Sequence, residues 1–443
     1  MIDKISNIYS RQVLDSRGNP TIYTLVKTSD GNMGFSFVPS GASTGSKEAL
    51  ELRDNDPKYF NGKGVLTAVK NITDELGPNL MGMNVNNLNE IDSKMIDIDG
   101  TEYKSRLGAN SILSISMACA RASAASNNIE LFELIRKLYD SELNNYKLPN
   151  PMFNVLNGGS HAFNSTDFQE YMIVPVGIEN FEISISAGFQ IYNKLKKLLE
   201  SKNYPTTLGD EGGFAPPGLT NEGPLELLTN AVSQTDFNLG SDIKFALDVA
   251  ASEFYDSSVD IYNLKSEGKK ISSGELTIMY KNLVEKYPIY SIEDGLSEDD
   301  WNGWQNLTKS IGKNIQLVGD DLYVTQKKFL KRGIDENAGN SILIKLNQVG
   351  TVSETIENIK LAQKNNFETI ISHRSGETED TFIADLAVGT DSTQIKTGAP
   401  ARGERVNKYN RLLIIHDIIK DKYNYLPKNN IVGTYKWKYQ KLE

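Results

Sequence analysis

Six short apolar runs, each closed by a polar or charged residue and each followed by a stretch of helical period, constrain this chain more than any other feature. They are KFALDVA, IYSIEDG, IQLVGDD, SILIKLN, ETIISHR and STQIKTG. Helical segments such as SSGELTIMYKNLVEKY and TVSETIENIKLAQKNN lie between them. A strand that leads into a helix before the next strand cannot close as a tight hairpin, so the repeat implies a parallel sheet. Units of roughly 30 residues fit a closed (β/α) barrel. An open doubly wound sheet is the competing arrangement.

The first 140 residues read differently. IYTLVKTS and MGFSFVPS alternate around the turn SDGN, then LTAVKNITDEL and ANSILSISMACARA take helical spacing. This predicts a smaller α+β domain over 1–140 and a barrel domain over 141–443, with the change near the two prolines of YKLPNP. The last stretch, NYLPKNNIVGTYKWKYQKLE, has no clear period and receives no assignment. Hydrophobic residues at 39% and charged residues at 23% are ordinary globular values. No apolar run approaches a membrane span, and the first twenty residues lack a signal-peptide apolar core, so a cytoplasmic location is expected. A single cysteine, Cys119, excludes an internal disulfide framework, and three histidines leave little for a zinc site. A net charge of -10 argues against nucleic acid as the main ligand. An acidic chain that handles an anion must concentrate its cations locally or recruit metal ions.

The ends of the six runs carry the chemistry, because functional groups of a parallel barrel gather at the carboxyl ends of its strands. In order they are Asp248, Glu293, Asp320, Lys345, His373 with Arg374, and Lys396. Three carboxylates are thus followed by three cationic positions. An oxygen-only acidic set suits a hard divalent cation, with Mg2+ its natural occupant. The cations suit an anionic substrate, and a lysine can act as a base if neighbouring positive charge lowers its pKa. Together they point to proton abstraction beside a carboxylate. The loop GDEGGFAPP holds Asp210 and Glu211 in a setting too rich in Gly and Pro for helix or strand. The loop PSGASTGSKE lacks P-loop spacing and reads as a flexible lid with hydroxyls for a metal or phosphate.

Eleven stretches between Leu14 and Asn410 give the chain a resemblance to the enolase family. They are LDSRGNPT, PSGASTG, NGGSHA, QEYMIVP, LGDEGGFAP, ALDVAASEFY, SIEDGLSEDDW, GDDLYVT, LIKLNQVGT, SHRSGETEDTFIADLAVG and KTGAPARGERVNKYN. The resemblance implies a modified (β/α)8 TIM-type barrel behind a small α+β domain. It also implies a lyase that reversibly dehydrates 2-phosphoglycerate to phosphoenolpyruvate, using a lysine base and two Mg2+ per site. Residue by residue, Asp248, Glu293 and Asp320 would hold the metal that grips the substrate carboxylate, and Ser43 would help hold the second. Lys345 would remove the C2 proton and Lys396 would contact the carboxylate. Arg374 and Ser375, beside His373, would bind phosphate. Glu211, with Glu170 beside it, would act on the C3 hydroxyl, His161 would close over the substrate, and Asp210 would support its loop. A homodimer or an octamer of dimers is implied as well.

Tyr23 stands where the family commonly has a glutamate at the subunit contact, and GFSFVPS replaces its usual GRAAVPS. The same metals, base and acid would serve dehydration of a phosphonate analogue. A third reading, a scaffold or surface-receptor role, would tolerate loss of Lys345 or Glu211, and both are present.

Overall fold

The structure is a computed structural model, and it describes residues 2–41, 47–140, 142, 145–162 and 164–422. Ser43, the rest of 42–46 and the unassigned segment 423–443 therefore lie outside the described residues, as does the side chain of His161. β1 (Ile5–Leu14), β2 (Pro20–Thr28) and β3 (Met33–Phe37) form an antiparallel meander. The helix Ala109–Ser126 lies across it, and Ser36 Oγ donates to the Ser114 carbonyl at 2.6 Å. Contact is close enough that a Cβ on Gly34 would stand 2.2 Å from the Ala118 carbonyl oxygen. Tyr23 on β2 packs against Phe37 with ring centroids 4.9 Å apart.

The barrel contains β4 (Asn150–Asn157), β5 (Glu170–Val174) and β6 (Lys244–Asp248). A small three-stranded flap follows, made of β7 (Tyr255–Asp256), β8 (Ile261–Leu264) and β9 (Lys269–Ile271). The barrel resumes with β10 (Ile289–Glu293), β11 (Gln316–Gly319), β12 (Ser341–Ile344), β13 (Glu368–Ser372) and β14 (Gln394–Lys396), and β14 pairs with β4 to close it. Its interior is filled by Met152, Met172, Val174, Ala246, Val318, Leu343 and Ile370. The closed eight-stranded barrel expected from the sequence is the one observed.

One expectation needs correction, because the sheet is not wholly parallel. β5 runs antiparallel to both β4 and β6. Among its described residues the link from β4 to β5 holds one 3-10 turn, Gly159–His161, and no helix to carry a parallel crossover. This reversal positions two site residues. The first residue of β5, Glu170, lies at the carboxyl end of the barrel, opposite Asp248. After β5 the helix Phe181–Ser201 brings the chain back to that end, and the helix Gly223–Val232 returns it to start β6. The GDEGGF loop between those helices therefore crosses the barrel mouth.

The N-terminal part is fastened to the barrel through a buried ion pair. Arg121 of the helix Ala109–Ser126 donates to Asp380 at 2.8 and 2.6 Å, and Asp380 also accepts the Phe37 N–H at 2.9 Å. Burial opposes the Asp380 charge, but Arg121 outweighs it and holds the carboxyl below its usual range. Its contribution to stability is therefore full above the unfolded carboxylate pKa and is lost as pH falls through the depressed folded value. Asp380→Asn is expected to cost about 3 kcal/mol at neutral pH, because Arg121 is left buried without its counter-charge. Thermal melts of the two proteins at pH 7 check this, and equal melting temperatures would count against it. Among the described residues no helix is long and apolar enough to cross a membrane.

Candidate active site

The predicted strand-end residues Asp248, Asp320, Lys345, His373, Arg374 and Lys396 line one cavity at the barrel mouth, and Glu293 meets it through Lys396. Its walls carry Glu48, Glu170, Glu211, Asp248, Glu253, Asp294, Asp320 and Asp321 against Lys345, Arg374 and Lys396, with His373 and Ser375 beside them. A larger apolar groove lies between the helices Phe181–Ser201 and Gly403–Lys422, but among the described residues no Lys or Arg lines it, which suits it poorly to an anionic substrate.

Lys396 occupies the centre of the acidic arc. Its Nζ donates to Asp248 Oδ2 at 2.9 Å and to Glu293 Oε1 and Oε2 at 2.9 and 3.0 Å, and lies 3.2 Å from Glu170 Oε2. Burial opposes the ammonium charge, yet these carboxylates hold its pKa well above normal. Glu293 and Glu170 are themselves raised, by burial first and then by their acidic neighbours Asp248 and Glu211 respectively. Carboxylates outnumber the permanent cations in this buried space, so the set is short of positive charge. Oxygen-only donors with that shortage fit a hard divalent ion.

Asp320 turns instead to Lys345, with which it makes a short ion pair, and accepts from Gln348 Nε2 at 2.9 Å. Its carboxyl is held below the usual range because Lys345 outweighs burial. A different acidic group, Asp294, Asp320 and Asp321, brings one oxygen from each within 4.8 Å of the others. Both Asp294 oxygens already accept backbone N–H groups, from Asp320 and Asp321 at 2.9 Å each, so Asp294 braces the end of β11. Burial, then the Asp320 charge, pushes the Asp321 carboxyl up to about 8.

Lys345 is pulled in both directions. Burial, Arg374 and Lys396 lower its pKa, but Asp320 outweighs them and the net shift is upward. The backbone beneath it is strained: Val324 and Thr325 sit consecutively at φ +45° and +51°, a conformation costly for β-branched residues. Thr325 Oγ1 accepts the Lys345 N–H at 3.0 Å and donates to Gln348 Oε1 at 2.6 Å, which fixes the start of the lysine side chain.

Arg374 donates to Glu48 Oε2 at 3.0 Å and to Asn347 Oδ1 at 2.9 Å. Glu48 follows the PSGASTG stretch, whose leading edge is held by Arg17 donating to the Gly41 carbonyl at 2.9 Å. Ser40 and Gly376 exchange backbone hydrogen bonds at 2.7 and 2.9 Å, which ties that edge to the SHRSG turn.

Glu211 is 4% exposed and faces the cavity, whereas Asp210 is exposed and contributes its carbonyl, which accepts from Arg405. Phe214 pairs with the end of β4 through Asn157 N–H and the Val155 carbonyl, at 2.8 and 2.9 Å, and so anchors the loop. Gly212 takes φ +86°, and a Cβ there would press at 3.0 Å on Ala399 and the Ala401 carbonyl, so glycine is required. Glu211 Oε2 accepts from Asn154 Nδ2 at 3.0 Å and lies 3.2 Å from His373 Nε2. Sequence reasoning gave no role to Asn154, Gln348, Asp294, Glu48 or Arg405. Four of them, Gln348, Asp294, Glu48 and Arg405, were within or beside quoted motifs, but nothing local marked their partners.

The profile of the enolase N-terminal domain matches residues 5–135, and that of the enolase C-terminal TIM barrel domain matches residues 145–433. The chain belongs to the enolase family. Curated enolases of Wolinella succinogenes and Helicobacter pylori are each 51% identical to it, over 93% and 94% of this chain and 96% of their own lengths. As an enolase it is a lyase, a phosphopyruvate hydratase.

Proposed function

We propose that the chain catalyses the Mg2+-dependent, reversible dehydration of 2-phospho-D-glycerate to phosphoenolpyruvate in glycolysis and gluconeogenesis. The observation that carries this reading is the division of the barrel mouth. Acids line β5, β6, β10 and the end of β11, cations follow β12, β13 and β14, and Lys345 and Glu211 enter from different elements. A substrate with a carboxylate at one end and a phosphate at the other complements that division.

Asp248, Glu293 and Asp320 would hold one Mg2+, and Ser43 would help hold a second. Bound there, the ions would supply positive charge to the substrate carboxylate as its α-proton becomes acidic. Lys345 takes the C2 proton, Lys396 contacts the carboxylate, and Arg374 and Ser375 receive the phosphate, with His373 between the two ends. Hydroxide is a poor leaving group, so Glu211 donates a proton to it. Glu170 beside it helps retain that proton, since two neighbouring buried carboxyls resist ionising together. His161 closes over the substrate. The domain division at 140/141, the homodimer or octamer of dimers and the cytoplasmic location belong to the same reading.

The test is phosphoenolpyruvate absorbance with 2-phosphoglycerate. Product should form with Mg2+, stop on chelation and resume on readdition; no product with Mg2+ present would refute the reading. Asp320→Asn removes one ligand charge and is expected to raise the Mg2+ concentration for half-maximal activity at least about tenfold. An unchanged Mg2+ titration in that variant would contradict the assignment.

A further inference from the structure

Arg405, on the helix Gly403–Lys422, is fully buried. A buried guanidinium ordinarily faces a carboxylate. Its nearest one here is Glu404, 3.6 Å from Nε, while the other two nitrogens serve different partners. NH1 donates to His373 Nδ1 and to the Arg374 carbonyl, both at 2.6 Å. NH2 donates to the Ser375 carbonyl at 2.7 Å and to the Asp210 carbonyl at 3.1 Å. One side chain thus ties the loop that carries Glu211 to the turn that carries His373, Arg374 and Ser375.

We propose that Arg405 is a positioning residue that fixes His373 as a neutral imidazole protonated on Nε2 and presents that N–H to Glu211. Arginine cannot surrender its protons, so Nδ1 must be the acceptor of the 2.6 Å contact and the single ring proton must lie on Nε2. Nε2 is 3.2 Å from Glu211 Oε2. The donor then meets negative charge that appears on Glu211 only after its proton has gone, an interaction stronger late in the reaction than at its start. The inference rests on the reading of Glu211 as the acid for the leaving hydroxyl. The charged groups facing the ring are Glu211, Arg405 and Glu377, the last of which accepts from Lys408 at 2.8 Å. Burial pushes the ring pKa down to about 4, and Arg405 acts in the same direction against Glu211.

The experiment is 15N NMR of the full-length, Mg2+-loaded enzyme labelled at histidine, a tractable spectrum because the chain has three histidines. His373 is assigned by the signal lost in His373→Gln. The expected wild-type spectrum shows protonated Nε2 and bare Nδ1, unchanged from pH 6 to 8. A proton on Nδ1, alone or on both nitrogens, overturns the proposal without any Arg405 variant having to fold. In Arg405→Met the ring should lose its fixed tautomer and titrate at higher pH. Dehydration should fall about 10- to 100-fold while C2 hydrogen exchange persists, with partial recovery in Arg405→Lys. An unchanged tautomer in Arg405→Met, or equal loss of exchange and dehydration, also overturns it. Failure of the underlying reading shows separately, in Glu211→Gln, and leaves the wild-type tautomer untouched.

Discussion

Lys345→Ala is expected to abolish both hydrogen exchange at C2 and phosphoenolpyruvate formation, lowering turnover by about 10⁴-fold. Lys345 follows the end of β12, half-buried, with its backbone N–H pinned by Thr325. Lys396, the other lysine of the cavity, is enclosed by Asp248, Glu293 and Glu170, which hold it protonated and leave it unsuited to replace the base. Lys345→Arg should be nearly as inactive, because a guanidinium keeps the charge but cannot accept a proton at neutral pH. Loss of activity in both variants with an intact fold separates a base from a mere counter-charge for Asp320. The check is mass spectrometry of 2-phosphoglycerate recovered from deuterated water, beside the absorbance assay. Exchange that survives in Lys345→Ala would assign the base elsewhere.

Much of this site could be read from the sequence because barrel strands buried on both faces write themselves as apolar runs that stop where the chain reaches solvent. β6, β10, β11, β12, β13 and β14 all fall inside the six predicted runs. β5 was not legible in that way. It runs in the opposite sense, so its cavity-lining residue, Glu170, precedes the apolar run and the rule of reading the last polar position passes over it. The family resemblance supplied Glu170 instead. Arg405 and Gln348 escaped for another reason. Their bonds reach His373 and Asp320, 32 and 28 residues away, and no local period encodes a partner at such distances. Nor did the runs show that strand order places Asp320 next to Lys345 as well as the cations.

Glu211→Gln is expected to lower dehydration by about 10²- to 10⁴-fold, the usual range for removing a general acid. Glutamine keeps the side chain's shape and the loop's anchoring through Phe214 and Gly212, but it cannot donate the proton that turns hydroxide into water. Nothing in the substitution touches Lys345 or the Asp248, Glu293 and Asp320 set. The first half of the reaction should therefore continue without the second. The most direct measurement is the time course of deuterium entry at C2 of 2-phosphoglycerate with Glu211→Gln, read by proton NMR while phosphoenolpyruvate is followed by absorbance. The account predicts that deuterium enters at a readily measured rate with almost no phosphoenolpyruvate. If exchange is lost as completely as in Lys345→Ala while the fold and Mg2+ binding persist, the division of labour between Lys345 and Glu211 is wrong.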